Sequence, residues 1–559
     1  MSKGQGISRA ERRRRHAQRS RALKIAAGTG AGVGAAIAIA APASAQEFAV
    51  TNLNDSGTGS LRAAIEDANT APNPDQIRFQ STLSGTIELE STLDVTDTVE
   101  IFGPGNDPAA VTLDGNDGFG IMYTTAATTL WSLTFANGSS PYGGAVDAPD
   151  ANLFVHNSTF TGNHASVGGA IYSGDGAAAN VYESTFTGNG ASTGGAIGAR
   201  SSVSVHDSTF SGNRAQQLGG AIITYAGAGN ASMGILTSTF NRNSAGLFGG
   251  TLATIVDQYA TSTLGMDSST ISGNQAGFAG GGVAGGFTTA EINNSVIEDN
   301  FAYYGSDLYS GDFSNPPTDV PNTDDCGCYV TTFDTSFSFV GDAKGADINT
   351  TVAGSNILNG GDALLGKLAV NGGPTQTMAI GPDSPLVNKG RSAMIPDQRG
   401  EERPVQYPGI PNSTAVGADG GDIGAFELQY VTPPPPVVDR PFRILNGTPD
   451  RRTGANSIGV DIPAAGTVRI LGYNTFRSTS THFDAKGIYR VKAVPKGKFK
   501  KRLAKKGKAR HIVRFMYTPD EGRRLAKGKV FGFFKGAKSG KAKAAAVNRI
   551  RKLDGWPGR

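Results

Sequence analysis

The chain has 559 residues, of which 78 are glycine, 38% are apolar and 18% are charged. Glycine is about twice as frequent as in an average globular protein and costs about 1 kcal/mol per helical position relative to alanine, which excludes a long helical bundle or coiled coil. The net charge of +4 hides three blocks: residues 1–45 have nine Lys/Arg and one acid (net +8), residues 46–439 have 11 and 40 (net −29), and residues 440–559 have 31 and six (net +25).

Residues 1–24 are basic, 25–41 are uncharged and rich in Ala, Gly and Ile, and Ala43-Ser44-Ala45 is a small-x-small site. This order predicts a signal peptide over residues 1–45 and a mature protein that is secreted, extracellular, at the cell surface or associated with the cell wall. No later window has about 18 consecutive apolar residues, so no transmembrane segment is expected after cleavage. Residues 46–110 read as an N-terminal cap with the first coils of a repeat array. Here Ser60 is placed to N-cap a helix over Leu61–Asn69, with Leu61, Ile65 and Ala68 on one face and Arg62 and Glu66 on the other. Such a helix would cover the open edge of a stack of strands.

Residues 111–310 repeat. STFTGN at Ser158–Asn163 returns at Ser184–Asn189, then as STFSGN at 208–213, STFNRN at 238–243, STISGN at 269–274 and SVIEDN at 295–300. From Phe135, the apolar positions Phe160, Phe186, Phe210, Phe240, Ile271 and Ile297 follow at steps of 25, 26, 24, 30, 31 and 26 residues. Asn163, Asn189, Asn213, Asn243, Asn274 and Asn300 close the units, and a glycine pair follows most of them, as at Gly168-Gly169 and Gly194-Gly195. Three strands of about five residues with three turns fill such a unit, so each is predicted to form one coil of a right-handed parallel β-helix. The phenylalanines would stack inside and the asparagines at a turn, with glycines where φ is positive or coils crowd. The longer steps would be loops near Tyr225–Asn230 and Ile255–Thr261. Leucine-rich, calcium-binding nonapeptide and helical repeats all fail on residue type.

Residues 311–430 read as the last coils and their closure, with the Asp422–Glu427 block expected to close the far end. Cys326 and Cys328 flank a single glycine; a disulfide there would be strained and gain almost no loop entropy, and their oxidation state stays open. Residues 431–439 contain Pro433–Pro436 and predict a stiff linker. In residues 440–559, Gly466–Leu471, Gly487–Lys492, His511–Tyr517 and Val530–Phe534 read as strands of a small basic β-sandwich, with its last residues, from about 540 on, disordered. Lys498, Lys500, Lys501, Arg502, Lys505, Lys506 and Lys508 form a dense basic segment that marks a candidate polyanion-binding site. An anionic cell-wall polymer or glycan is the expected partner; nucleic acid is not, because no reader motif is present.

Phe48–Gly57 followed by Gly59-Ser60-Leu61-Arg62-Ala63-Ala64 resembles the CSLREA segment that opens many bacterial surface β-helix proteins, with glycine in place of its cysteine and alanine in place of its glutamate. The STFxxN…GG units are similar to polymorphic outer-membrane protein repeats. Asn371–Thr377, Ser384-Pro385, Asp397–Gly400 and Asp422–Glu427 resemble the choice-of-anchor Q domain, and residues 440–559 resemble lysine-rich carboxy-terminal β-domains of exported actinobacterial proteins. The resemblance implies an all-β, pectate-lyase-like solenoid, secreted or surface-exposed, and specifies no activity.

Such solenoids also host lyases and glycosidases. Asn322-Thr323-Asp324-Asp325 resembles a polygalacturonase motif, but that family also uses Gly-His-Gly and Arg-x-Lys, and residues 46–439 contain neither. His156 and His206 occupy matching positions before their Ser-Thr-Phe units and are expected to face outward. Residues 79–199 contain no Lys or Arg, and Asp147, Asp150, Asp175, Glu183 and Asp207 are scattered singly, as on a solvated acidic surface that could hold calcium only adventitiously. No catalytic, cofactor or metal residue is assigned. The expected function is binding, adhesion or surface coating by a monomeric rod held to the envelope by the cationic domain. The alternative is a polysaccharide-active lyase or glycoside hydrolase, which an exposed aromatic row beside a carboxylate pair on one sheet would favour.

Overall fold

The computed structural model describes residues 46–71, 74–226, 229–256, 260–286, 289–311, 331–392, 395–430, 442–472, 475–520 and 524–535. The expected signal peptide, cysteine pair, Asn322–Asp325 motif, proline linker and extreme C-terminus all lie outside them. The chain divides into two compact units, up to Tyr430 and from Val431 on.

The first unit is a parallel β-solenoid of about ten turns. One coil shows the plan: Leu153–His156, Thr159–Thr161, His164–Val167 and Ile171–Ser173 are four short strands, and Ala178–Tyr182 begins the next coil directly above the first. Stacking builds four parallel sheets, here A (12 strands), B (11), D (six) and C (nine) in the order the chain meets them. Sheet D is a departure from the expected three strands. Its strands bury no more than a small residue or two, as Ala191, Ala215, Ala245 and Ala276, and His164–Val167 buries none, so hydropathy has no signature for them.

The column inside sheet B is continuous. Phe135, Phe160, Phe186, Phe210 and Phe240 are fully buried, with ring centroids 4.5–4.9 Å apart and planes within 14° of parallel. Ile271 and Ile297 extend the column. Stacked rings at one strand spacing keep their contact area and leave no void. Beside it runs a buried amide ladder: Nδ2 of Asn163 donates to Oδ1 of Asn189, and so on through Asn213, Asn243, Asn274 and Asn300 at 2.9–3.0 Å. Each Nδ2 also donates to a main-chain carbonyl one coil back, and each Oδ1 also accepts a main-chain N–H, so the amides are satisfied without water. The repeated serine does equivalent work: Oγ of Ser184 accepts from the Ser158 N–H and donates to the Tyr182 carbonyl.

The two glycines of each pair have separate causes. Gly168 and Gly194 have φ near +65°, whereas a Cβ on Gly169 or Gly195 would lie 2.2 or 2.1 Å from a carbonyl of the next coil. The turn from sheet A to sheet B is made by one left-handed residue of no fixed type: Asn157, Glu183, Asp207, Thr237, Ser268 and Asn294 all have φ between 43° and 51°.

Helix α1 (Leu61–Ala68) is N-capped by Ser60, whose Oγ accepts from the Ala63 N–H, and it buries Leu61, Ala64, Ile65 and Ala68. Arg62 ties it down by pairing with Asp55 at 2.6 Å and donating to the Ser91 and Thr92 carbonyls.

The Asp422–Glu427 block does not close the far end, contrary to expectation. From a hairpin at Leu365–Ala369 and Thr377–Ile380, the chain runs back along the outer face of sheet B. Thr375 donates to the Asp207 carbonyl, Gln398 bonds Thr209 and Thr239, and the Ala425 N–H donates to Thr270 Oγ1. The outward threonines of those coils are thereby buried, whereas Thr159 and Thr185 stay half exposed. The reason is chemical: a flat row of hydroxyls offers both donors and acceptors to an irregular strap.

In the second unit, Arg443–Pro449, Asn456–Ile462 and Gly487–Ala493 form a three-stranded antiparallel sheet. Thr479–Phe483, Gly466–Leu471, Lys508–Pro519 and Leu525–Phe534 form a four-stranded one. Both bury residues in one core that includes Ile458, Val468, Phe476, Phe515 and Phe533. The basic segment, apart from Lys508 at the start of a sandwich strand, is not extended. It is helix α2 (Gly497–Lys506).

Candidate functional site

Helix α2 follows from Phe499 and Leu503, four residues apart, which alone are buried; Gly507, at φ +65°, ends it. Phe499 packs against Phe476, His511 and Phe533, which fixes the rotation of the helix. Everything else points outward: Lys498, Lys500, Lys501, Arg502, Lys505 and Lys506, and Lys508 on the following strand, are all exposed. None of the seven is in an ion pair among the described residues. Lys505 and Lys506 lie in the last turn, where the helix dipole favours cations. Burial and the nearby Arg502 charge hold the His511 imidazole below its usual range. The arrangement is a cationic ridge whose lysines are in no ion pair among the described residues, with Arg502 lying 5.4 Å over the Phe499 ring.

On the solenoid, the repeat residues Phe160, Phe186, Phe210, Phe240, Ile271 and Ile297 and their asparagines are interior, so their role is scaffold. His156 and His206 face outward on sheet A in a row Phe102, Trp131, His156, Tyr182, His206, with neighbouring centroids 3.8–5.9 Å apart and planes within 20°. Arg78 caps the row at 3.9 Å from the Phe102 centroid. This aromatic row stacks face to face, so its ring faces are occupied by one another and only edges meet solvent. It strengthens the sheet and offers no flat platform to a ligand.

The buried charges of the strap are likewise internal. Arg403 pairs with Glu427 at 2.9 Å, Arg399 pairs with Asp397 at 2.6 Å, and Asp422 accepts from the Asn388 and Leu428 N–H groups. Burial and the adjacent Glu427 push Asp422 up to about 7. These are the residues of the Asp-Gln-Arg-Gly and Asp-Ile-Gly-Ala-Phe-Glu segments, and their work is to fold the strap.

One feature of sheet C escaped sequence reasoning. Parallel register places Asp94, Tyr123, Asp147 and Tyr172 at corresponding positions of four consecutive strands. Sheet D begins beside them with Ser139–Tyr142, and the step it makes leaves a cleft of about 270 Å³ lined by Thr92, Asp94, Gly120, Met122, Tyr123, Ser140, Gly143 and Asp147. Tyr123 and Tyr142 are 37% and 45% exposed. Asp147 is pushed up to about 6 by burial and by the Asp150 charge, and its Oδ1 is buried with no hydrogen-bond partner. Asp150 and Asp175 are exposed, and Glu183 and Asp207 are turn residues. Nothing in the spacing of these residues marks the cleft, because only strand register assembles it. A second hollow, at Asp55, Glu88 and Glu90, has its central carboxylate taken by Arg62.

Among the described residues no group of three His, Cys, Asp or Glu side chains is placed to hold a metal ion, and no helix is long and apolar enough to cross a membrane. No family model and no curated protein matches the chain.

Proposed function

We propose that this is an exported, surface-associated protein whose solenoid binds or coats and whose cationic unit holds it to an anionic envelope polymer. The observation that supports the reading most is helix α2, with its exposed, unpaired cations on a rigid support. The charge partition between −29 and +25 blocks, the leader-like residues 1–45 and the resemblance to CSLREA and choice-of-anchor Q surface proteins agree with it. The enzymatic reading has less behind it. Asp94 and Asp147 are two strands apart, about 9.5 Å by strand spacing, at the outer limit for a water-mediated carboxylate pair.

The test is retention of the full mature chain on isolated cell walls. Retention at low salt should be lost at about 1 M salt, where the screening length falls to about 3 Å. Replacing Lys498, Lys500, Lys501, Lys505 and Lys506 together by glutamate should abolish it at low salt. Retention indifferent to both would overturn the reading.

A further inference from the structure

We propose that the cleft at the start of sheet D is a saccharide site, taking a neutral oligosaccharide against Tyr123 with Asp147 accepting its hydroxyls. This deepens the reading of the solenoid as the binding part of the molecule and rests on it.

Three observations converge there. Most large aromatic rings of the repeats are spent on the fold, in the interior column, the self-stacked row of sheet A or the Phe248, Phe278, Tyr304 and Tyr309 cluster, and Phe301 and Tyr303 of the last coils are exposed at 64% and 74% away from this cleft. At this step Phe119, Tyr123 and Tyr142 are left 42%, 37% and 45% exposed, within one coil of each other. Tyr142 is braced by the buried Tyr172 ring at 4.9 Å, so its position is set without a ligand. Sugars present apolar C–H faces and a rim of hydroxyl donors, and rigid tyrosines with a nearby acceptor complement both.

The second observation is the Asp147 oxygen. A buried acceptor with no partner costs about 1–3 kcal/mol, and a ligand hydroxyl would relieve that cost. The third is charge. Asp94 and Asp147 line the cleft and no Lys or Arg does, while the cations nearby are already paired, Arg62 on the Thr92 carbonyl with Asp55 and Arg200 beside Tyr172 with Asp175, so a uronate, sulfate or phosphate would meet carboxylates first. An uncharged polyol fits this combination of an exposed ring and an unpartnered acceptor.

The experiment is calorimetric titration of the full mature chain with hexasaccharides of β-1,4-glucan, β-1,4-mannan, β-1,4-xylan and α-1,5-arabinan, and with hexagalacturonate as the charged counterpart. At least one neutral chain should bind with Kd below about 1 mM, and hexagalacturonate should bind at least about tenfold more weakly. Tyr123→Ala and Asp147→Asn should each weaken binding about tenfold or more, while Tyr303→Ala, on a different coil, should leave it unchanged. Circular dichroism of each variant checks that it is folded, and the near-isosteric Asp147→Asn keeps the test valid if Tyr123→Ala is not. No neutral chain bound below about 10 mM, binding unchanged in Asp147→Asn, or preference for hexagalacturonate would each overturn the proposal. Wall retention through helix α2 does not involve the cleft, so failure here leaves that assay unchanged, and the reverse.

Discussion

The solenoid and the cationic unit bury apolar side chains by opposite logics. In the solenoid a side chain meets its own counterpart one coil away, Phe on Phe, Asn on Asn, Ser on Ser, and every strand pair of the four stacked sheets is parallel. In the second unit strands pair antiparallel, and unlike residues from distant segments close a single core, as where Phe442 stacks on Tyr517. The first arrangement extends indefinitely and fails locally; the second is finite and fails as a whole. The difference also divides the electrostatics, since a rod that repeats its outer face repeats its charge, while a closed sandwich can gather cations on one helix.

The sharpest contrast comes from truncating one buried ring in each unit. Phe186→Ala and Phe515→Ala should each cost about 3–5 kcal/mol. Phe515→Ala should remove the second unit's transition as a block. Phe186→Ala should split the solenoid's melting, with hydrogen exchange rising in the coils next to residue 186 and little changed near Phe333. A uniform loss of protection along the rod would show that its coils are not independent neighbours.

Next in size is the glycine pair. Gly195→Ala sets a Cβ 2.1 Å from the Gly220 carbonyl and should cost at least about 2–3 kcal/mol, because a coil must move to admit it. Gly188→Ala, at φ +64° with open space around it, should cost only the left-handed preference, about 1 kcal/mol. Equal melting temperatures for the two variants would mean that crowding between coils is not what selects glycine at residue 195.

How much of this was legible follows from the same contrast. The interior column could be read directly, because Phe160, Phe186 and Phe210 recur in identical words, and the glycine pair had a stated cause. Sheet D could not, since a lone buried alanine per strand, as Ala215 or Ala245, or none at all, as in His164–Val167, has no hydropathy signature. The strap was misplaced because bonds such as Gln398 to Thr209 join residues 189 apart and leave no local trace. The Asp94, Tyr123 and Asp147 alignment is a product of register, and their sequence separations look arbitrary. Helix α2 has a different reason: Phe499 and Leu503 are its only buried positions, and two apolar residues among so many lysines set no helical period.

A smaller effect, confined to the last coils, is electrostatic. Burial, with Asp362, Asp299 and Asp307 nearby, pushes Glu298 up to about 7 although its Oε2 accepts from the Ala363 N–H. The folded state therefore holds a proton that the unfolded chain releases near its ordinary pKa of 4.5, and stability falls as pH rises from there through about 7. Glu298→Gln keeps an acceptor and removes the titration. It should match the parent near pH 5 and melt higher near pH 8; an identical difference at both values would exclude Glu298 as the cause.

The smallest expected change tests the least conspicuous part of the coil, the single left-handed residue between sheets A and B. Glu183 holds φ +50° there, where Asn157 and Asn294 serve in other coils. A branched or long side chain in that region costs roughly 1 kcal/mol that asparagine largely avoids by bonding locally to main chain. Glu183→Asn should therefore stabilise the solenoid by about 0.5–1 kcal/mol. No comparable gain is open to the second unit, where the described left-handed positions are already glycines such as Gly454, Gly497 and Gly507. The corner residue can vary in the solenoid because the serine after it anchors the turn to the coil on each side, as Ser184 does through Ser158 and Ser208. A gain seen for Glu183→Asn but lost when Ser184 is also replaced by alanine would locate the tolerance in that serine ladder.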